Sequence, residues 1–240
     1  MTSYKSMSDK PSVRSPWFWV PSLYFAQGIP YVAVMIVSVL MYKRLGVSNT
    51  DIALYTSWLN LPWVIKPFWS PFVDLLKTKR WWVVTMQLLI GAGLAGVAFT
   101  IPTTFFFQAS LAVFWLLAFS SATHDIAADG FYMLALDSHE QAFFVGIRST
   151  FYRIAIIAGQ GVLVMFAGFL ENSTGNIPLA WSVTFFILGG LFLALFLYHR
   201  YILPLPKGDK PSATVTPSTI LKEFFATFAS FFKKKQAFVA

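Results

Sequence analysis

The 240 residues are 57% hydrophobic and 18% aromatic but only 12% charged, against about 25% charged in soluble domains; this excludes a soluble one- or two-domain protein and places the apolar surplus against lipid. The formal charge of +8 lies in connecting segments and at the chain ends, with no aromatic-interleaved basic face, so a nucleic-acid partner is excluded and the lipid bilayer is the expected one. With no cysteine, disulfide frameworks and thiolate chemistry are excluded too.

Residues 1–15 are polar and carry Lys5, Lys10 and Arg14, which predicts a cytoplasmic tail; no short apolar core with a small-residue cleavage site follows, so no removable signal peptide is expected. The first spanning run is 17–42, opening at Pro16, Trp17 and Trp19, with Gln27, Gly28 and Pro30 at its middle. Such interruptions are tolerated in lipid where they line a cavity or pack on a neighbour. The second run, 51–74, starts at an Asn-Thr-Asp cap signal and carries Lys66 between Pro62 and Pro67. It ends at Asp74, followed by Lys77, Lys79 and Arg80. The third, 81–101, is uncharged and has Gly91, Gly93 and Gly96 for close helix approach.

After Pro102 the fourth run, 104–136, delivers His124, Asp125 and Asp129 into the hydrocarbon, the two acids four apart on one face. The fifth, 142–170, carries Arg148, Arg153 and Gln160, and the sixth, 179–202, closes with His199 and Arg200. Six spans of about 20 residues or more suit a ~30 Å core. Most basic residues fall in the N-terminal tail, after the second span and after the sixth, while Lys43 and Arg44 point the other way; a cytoplasmic N-terminus follows. Residues 203–235 read as a cytoplasmic linker containing an amphipathic helix at 219–232, and 236–240 as the start of a seventh span. The chain is thus expected to be half of a longer protein, its C-terminal half supplying the other wall of any site.

Counting 1.5 Å per residue from the cytoplasmic ends puts Lys66 and Asp129 roughly 12 Å deep, Asp125 roughly 18 Å, Arg153 roughly 16 Å and Arg148 roughly 9 Å. Intramembrane ionisable residues mark ion or substrate pathways, and two cations and two carboxylates share one slab. Two interpretations of the set stay open: a structural ion pair, for instance Asp125 with Arg153, or an anion-binding site beside a protonatable acid. In the second, burial favours the protonated carboxyl and a nearby cation the ionised one, so proton and anionic solute compete for Lys66 or Arg153. His124 either joins this pathway or satisfies a neighbouring helix; Gln27 and Gln160 either line the cavity or bond between helices.

Six spans, a basic linker and the Asp74, Lys77, Lys79, Arg80 cluster resemble the N-terminal half of the major facilitator superfamily, whose loop between helices two and three gates the cavity. Ser70 and Thr78-Lys-Arg80 stand where that loop usually has Gly and a Gly-Arg-Arg-like tail. A closer resemblance, to AmpG-type muropeptide permeases and their acetyl-CoA-transporter relatives, is carried by Phe25-Ala-Gln-Gly-Ile-Pro30, Leu61-Pro-Trp-Val-Ile-Lys-Pro-Phe-Trp-Ser-Pro-Phe-Val-Asp74, Ser121-Ala-Thr-His-Asp-Ile-Ala-Ala-Asp129 and Phe151-Tyr-Arg-Ile154. His124 replaces the family's usual Gln, and Gly130-Phe-Tyr follows the second Asp. The resemblance implies an all-α membrane protein of the bacterial inner membrane that imports muropeptides with protons by alternating access, without a cofactor. Two other classes are weighed beside it: a membrane-embedded enzyme with a metal on His124, Asp125 and Asp129, and a six-helix partner subunit that does not itself transport.

Overall fold

The structure is a computed structural model and describes residues 15–210. The expected tail up to residue 14, the amphipathic helix at 219–232 and the start of a seventh span at 236–240 lie outside the described residues. The described chain is helical, without strands. Five helices are long and apolar enough to cross a membrane: α1 (Pro16–Arg44), α3 (Lys79–Thr100), α4 (Phe106–Ala135), α5 (Ser138–Thr174) and α6 (Ile177–Ile202). The chain is therefore a multi-pass membrane protein.

The segment between α1 and α3, α2 (49–76), is built differently. A single span was expected over 51–74, but the backbone alternates between α-helix at Asn49–Thr56, Leu61–Ile65 and Ser70–Leu76 and tighter 3-10 turns at Ser57–Asn60 and Lys66–Phe68. Pro62, Pro67 and Pro71 each sit at the first or second position of one of these pieces. Proline supplies no amide hydrogen and tolerates only a helix start, so each restarts the helix instead of continuing it. A depth counted at 1.5 Å per residue does not hold across such a segment, because a 3-10 turn rises about 2.0 Å per residue.

Local chemistry sets the other boundaries. Helix α5 begins at Ser138, earlier than the expected 142, because Asp137 accepts from the Glu140 amide while the Glu140 side chain accepts from the Asp137 amide, a reciprocal capping box. Asn176 caps α6 through the Leu179 amide, and Gly175, at φ 65°, ends α5 in the left-handed conformation. Single π-helical turns interrupt α1 at Ala33–Val37 and α5 at Gly159–Leu163.

Helix α3 packs along both α4 and α6, and α1 along α5. Two apolar clusters fill the bundle. One gathers Ile29, Val37, Leu94, Phe114, Phe185 and Phe192; the other gathers Trp19, Leu23, Val83, Phe131 and Tyr132 near the end that carries the α2–α3 loop. On α4, Leu117 and Ala118 belong to the first and Ala127 and Ala128 to the second. His124 and Asp125 lie between them, with Gln27 and Gln87 also buried. A polar layer thus separates two apolar cores.

Candidate functional site

The acids of α4 each meet a cation from another helix. Lys66 sits on the 3-10 turn of α2, and its Nζ lies 3.9 Å from Asp125 Oδ2. The Asp125 side chain is 10% exposed and that of Lys66 37%, so the pair is buried at the acid and open at the amine. Gln27 and Trp63 turn toward the same carboxyl, although Asp125 Oδ1, Gln27 Oε1 and Trp63 Nε1 make no hydrogen bond of regular geometry. Tyr152 of α5 is within electrostatic range of Asp125, and the Tyr31 ring meets Trp63 edge-on at 5.1 Å. Asp125 is therefore ringed by aromatic and amide groups with hydrogen-bonding capacity to spare.

One turn along α4, Asp129 Oδ1 lies 3.6 Å from Arg148 Nη1. The Tyr24 hydroxyl bridges the two: it donates to Asp129 Oδ1 at 3.0 Å and accepts from Arg148 Nη1 at 3.1 Å. The guanidinium also stands over the Tyr24 and Tyr132 rings, 4.9 and 5.1 Å from their centroids, an arrangement in which the ring quadrupoles favour the cation.

A cavity of about 490 Å³ runs from Lys66 and Asp129 to the loop pair Asp74 and Lys79, along Pro67, Pro71, Ile126 and Gly130. Lys79 is buried and ion-paired to Asp74. A Cβ at Gly130 would lie 2.9 Å from Lys79 Cε, so glycine after Asp129 leaves room for the lysine stem to cross α4. Lys77 projects to within 5.9 Å of the Trp81 ring centroid. Arg80 donates to the main-chain carbonyls of Leu203, at 3.3 Å, and Arg200. Asp209, in the expected linker, accepts from the amides of Lys79 at 2.6 Å and Arg80 at 3.0 Å.

The remaining expected site residues separate. Arg153 is exposed on α5 and forms no ion pair with a described residue, so the expected Asp125–Arg153 pair gives way to Asp125–Lys66. Residues five apart on a helix point about 140° apart, and packing of α5 on α1 turns Arg148 inward instead. Gln160, in the π-helical turn of α5, is also exposed. His124 is fully buried and faces away from the cavity into a hydrogen-bonded chain: Gln87 Nε2 meets His124 Nε2 at 3.1 Å, Gln87 Oε1 meets His199 Nδ1 at 3.0 Å, and His199 Nε2 meets Ser22 Oγ at 3.0 Å. Consecutive helical residues point about 100° apart, so a helix that turns Asp125 toward Lys66 turns His124 toward its neighbours. No group of three or more His, Asp or Glu that could hold a metal occurs among the described residues.

Arg148, Tyr24, Gln87, His199 and Asp209 were not among the expected site residues. For Arg148 a signal existed, since its counted depth of roughly 9 Å is close to the roughly 12 Å of Asp129. At the far end of the bundle, Arg44 pairs with buried Glu171, its Nε donating to Oε2 at 2.9 Å, while Trp181 Nε1 donates to Oε1 at 2.7 Å.

Residues 25–236 match the model of the BT1 family. Curated relatives include the "Putative transporter AmpG 4" of Rickettsia conorii, 29% identical over 69% of this chain and 40% of that protein. The "Putative transporter AmpG 4" of Rickettsia felis is 27% identical over 88% of this chain and 50% of that one. The "Anhydromuropeptide permease" of Escherichia coli K12 is 24% identical over 90% of this chain and 42% of that protein. The chain thus spans half or less of the length of these relatives. With a family model matched across the bundle and AmpG-type permeases among its relatives, the chain belongs to the BT1 family.

Proposed function

We propose that the chain forms the N-terminal six-span half of an AmpG-like secondary transporter of the bacterial inner membrane, with a cytoplasmic N-terminus. It imports a muropeptide or a related anionic sugar-containing solute together with protons, by rocking of two halves around a midplane site. The observation that carries this reading is the pair of acid–base contacts stacked on one face of α4, Lys66–Asp125 and Arg148–Asp129, beside a cavity that reaches the Asp74–Lys79 contact. Opposite-end contacts of the two cations that opposed it in the loop count, Arg44 with Glu171 and Lys43 with Asn49, support the orientation, because both have a structural role there.

Protonation of Asp125 removes the negative charge that holds Lys66. The ammonium, open to solvent at its tip, then accepts a carboxylate of the solute. Deprotonation restores the internal pair and expels the anion. Asp129 and Arg148 provide a second pair of the same kind nearer the loop, and exposed Arg153 and Gln160 offer further polar contacts to the solute. The Asp74–Lys79 contact, with Lys77 and Arg80 beside it, closes the cavity at the loop end when the outer end is open. The broken α2 lets Lys66 and Asp74 move separately.

The test is uptake of labelled anhydromuropeptide, driven by an imposed pH gradient, into vesicles containing the full-length transporter to which this half belongs. Asp125→Asn is expected to abolish proton-driven accumulation while leaving solute exchange across the membrane. Full accumulation by both Asp125→Asn and Asp129→Asn rejects the coupling assignment, and failure of the wild type to take up muropeptide rejects the substrate.

A further inference from the structure

Helices α1 and α4 face each other in register as they run in opposite directions. Tyr24 meets Asp129, and Gln27, three positions on, turns toward Asp125, four positions back. Tyr31, four residues after Gln27, lies on the same face of α1. On α2, Trp63 precedes Lys66 by three residues, and both turn toward Asp125. Because α2 runs on past Lys66 to its loop, Trp63 and Tyr31 form an aromatic layer on the side of Asp125 away from that loop. Their rings meet edge-on at 5.1 Å, which leaves ring faces that neither covers, and both side chains are half-buried. Tyr152 of α5, also half-buried, is within electrostatic range of Tyr31 and Asp125. Gly28 lets it sit there: a Cβ at that position would lie 2.9 Å from the Tyr152 carbonyl oxygen.

Behind the rings, Asp125 Oδ1, Gln27 Oε1 and Trp63 Nε1 are buried without a hydrogen bond of regular geometry. Two are acceptors and one is a donor, and buried polar atoms in that condition call for a partner. An ammonium would suit the oxygens but would meet Lys66, whose Nζ is 3.9 Å from the same carboxylate. A carboxylate or phosphate would suit the indole N–H but would face two oxygens. A hydroxyl both donates and accepts, so it suits all three beside the cation. Uncovered ring faces next to partners for hydroxyls fit a pyranose, whose faces present C–H groups and whose rim carries the hydroxyls. We propose that Gln27, Tyr31 and Trp63 hold a pyranose ring of the solute against Asp125, with the solute's anionic part extending toward Lys66 and Arg148. This assignment rests on the transport reading above and gives the orientation of the solute within that site. A solute without the sugar leaves the three buried atoms unpaired, which discriminates against it.

The experiment is calorimetric titration, with no pH gradient, of the full-length transporter to which this half belongs. Di-N-acetylchitobiose serves as the neutral pyranose probe and alanylglutamate as the sugar-free anionic peptide. Chitobiose is expected to bind wild type and to compete with anhydromuropeptide. Trp63→Phe, which keeps a ring and removes the N–H, and Gln27→Leu should each weaken chitobiose about fivefold, as the loss of one hydrogen bond of about 1 kcal/mol predicts. Neither should change alanylglutamate binding, which Lys66→Gln should weaken. Trp58→Phe, at an exposed position of the same helix, should leave both probes unaffected. Undiminished chitobiose binding in Trp63→Phe overturns the proposal, and that conservative variant decides even where Gln27→Leu does not fold. Equal loss of both probes in Trp63→Phe overturns it too, because the layer then serves peptide amides or packing. If wild type binds chitobiose but takes up no anhydromuropeptide, the muropeptide reading falls and the ring site stands. If it takes up anhydromuropeptide while chitobiose neither binds nor competes, the ring site falls and the transport reading stands.

Discussion

Tyr24 is the side chain on which the second acid–base contact turns. Its hydroxyl is both donor to Asp129 and acceptor from Arg148, and its ring lies under the same guanidinium. Tyr24→Phe removes the first two interactions and keeps the third, so the variant isolates the hydroxyl. A hydrogen bond to a charged group contributes about 1.5–3 kcal/mol, but Asp129 and Arg148 are each about a third exposed, and water replaces part of what is lost. The expected outcome is a loss of about 1–2 kcal/mol in stability, seen as a lower thermal midpoint in detergent, with uptake reduced less than in Asp129→Asn. A Tyr24→Phe protein equal to wild type in both measurements would mean that the direct 3.6 Å contact suffices. Lys66 and Asp125 lack such a bridge. Their separation of 3.9 Å and the spare hydrogen-bonding capacity around Asp125 make that pair the easier of the two to open.

At the scale of helices, the chain Ser22–His199–Gln87–His124 joins α1, α6, α3 and α4 through one amide. Gln87→Leu leaves two buried imidazoles short of a partner. Interhelical hydrogen bonds in membranes contribute about 0.6–1.7 kcal/mol each, so unfolding in mild detergent should show a loss of about 1–3 kcal/mol. Adding His124→Phe and His199→Phe should recover part of that loss, because removing all partners of a buried network costs less than removing one; a strictly additive triple variant would rule out a cooperative chain. Continuous helices such as α3 and α6 are legible in the sequence because each is a long apolar run with a capping side chain at its start, Thr78 and Asn176. The chain through Gln87 is not legible, since nothing local specifies which neighbour a buried histidine meets. The same holds for Arg148 against Arg153. Their spacing shows that only one can face Asp129, but which one depends on how α5 seats on α1, where a Cβ at Gly28 would lie 2.7 Å from that of Ala155. In α2 the prolines were visible and their effect underestimated: three helix restarts in one span put Lys66 on a tight turn, out of reach of a depth count.

Across the whole molecule, the α2–α3 loop, the start of α3 and the chain beyond α6 form one connected assembly, with Asp209 as its tie. By accepting from the Lys79 and Arg80 amides, Asp209 acts at the positive end of the α3 dipole, where a carboxylate is favoured. It also holds the backbone of Lys79, whose side chain pairs with Asp74 at the mouth of the cavity. A movement of the chain after α6 therefore pulls on Lys79, whose side chain pairs with Asp74 at one end of the cavity; on the proposed transport reading this couples the chain after α6 to the gate. Loss of a capping side chain costs about 0.5–2 kcal/mol. Asp209→Ala should consequently open the loop about fivefold more often, the equivalent of about 1 kcal/mol. Because these 240 residues contain no cysteine, Lys77→Cys introduces a unique reporter, and its labelling rate by a water-soluble maleimide measures the opening directly. Asp209→Ala should raise that rate about fivefold, while Asp209→Asn, which keeps one acceptor oxygen, should fall between. Labelling that is indifferent to residue 209 would mean that the Asp74–Lys79 contact holds the loop without help from Asp209, and that the chain after α6 is not coupled to the α2–α3 loop.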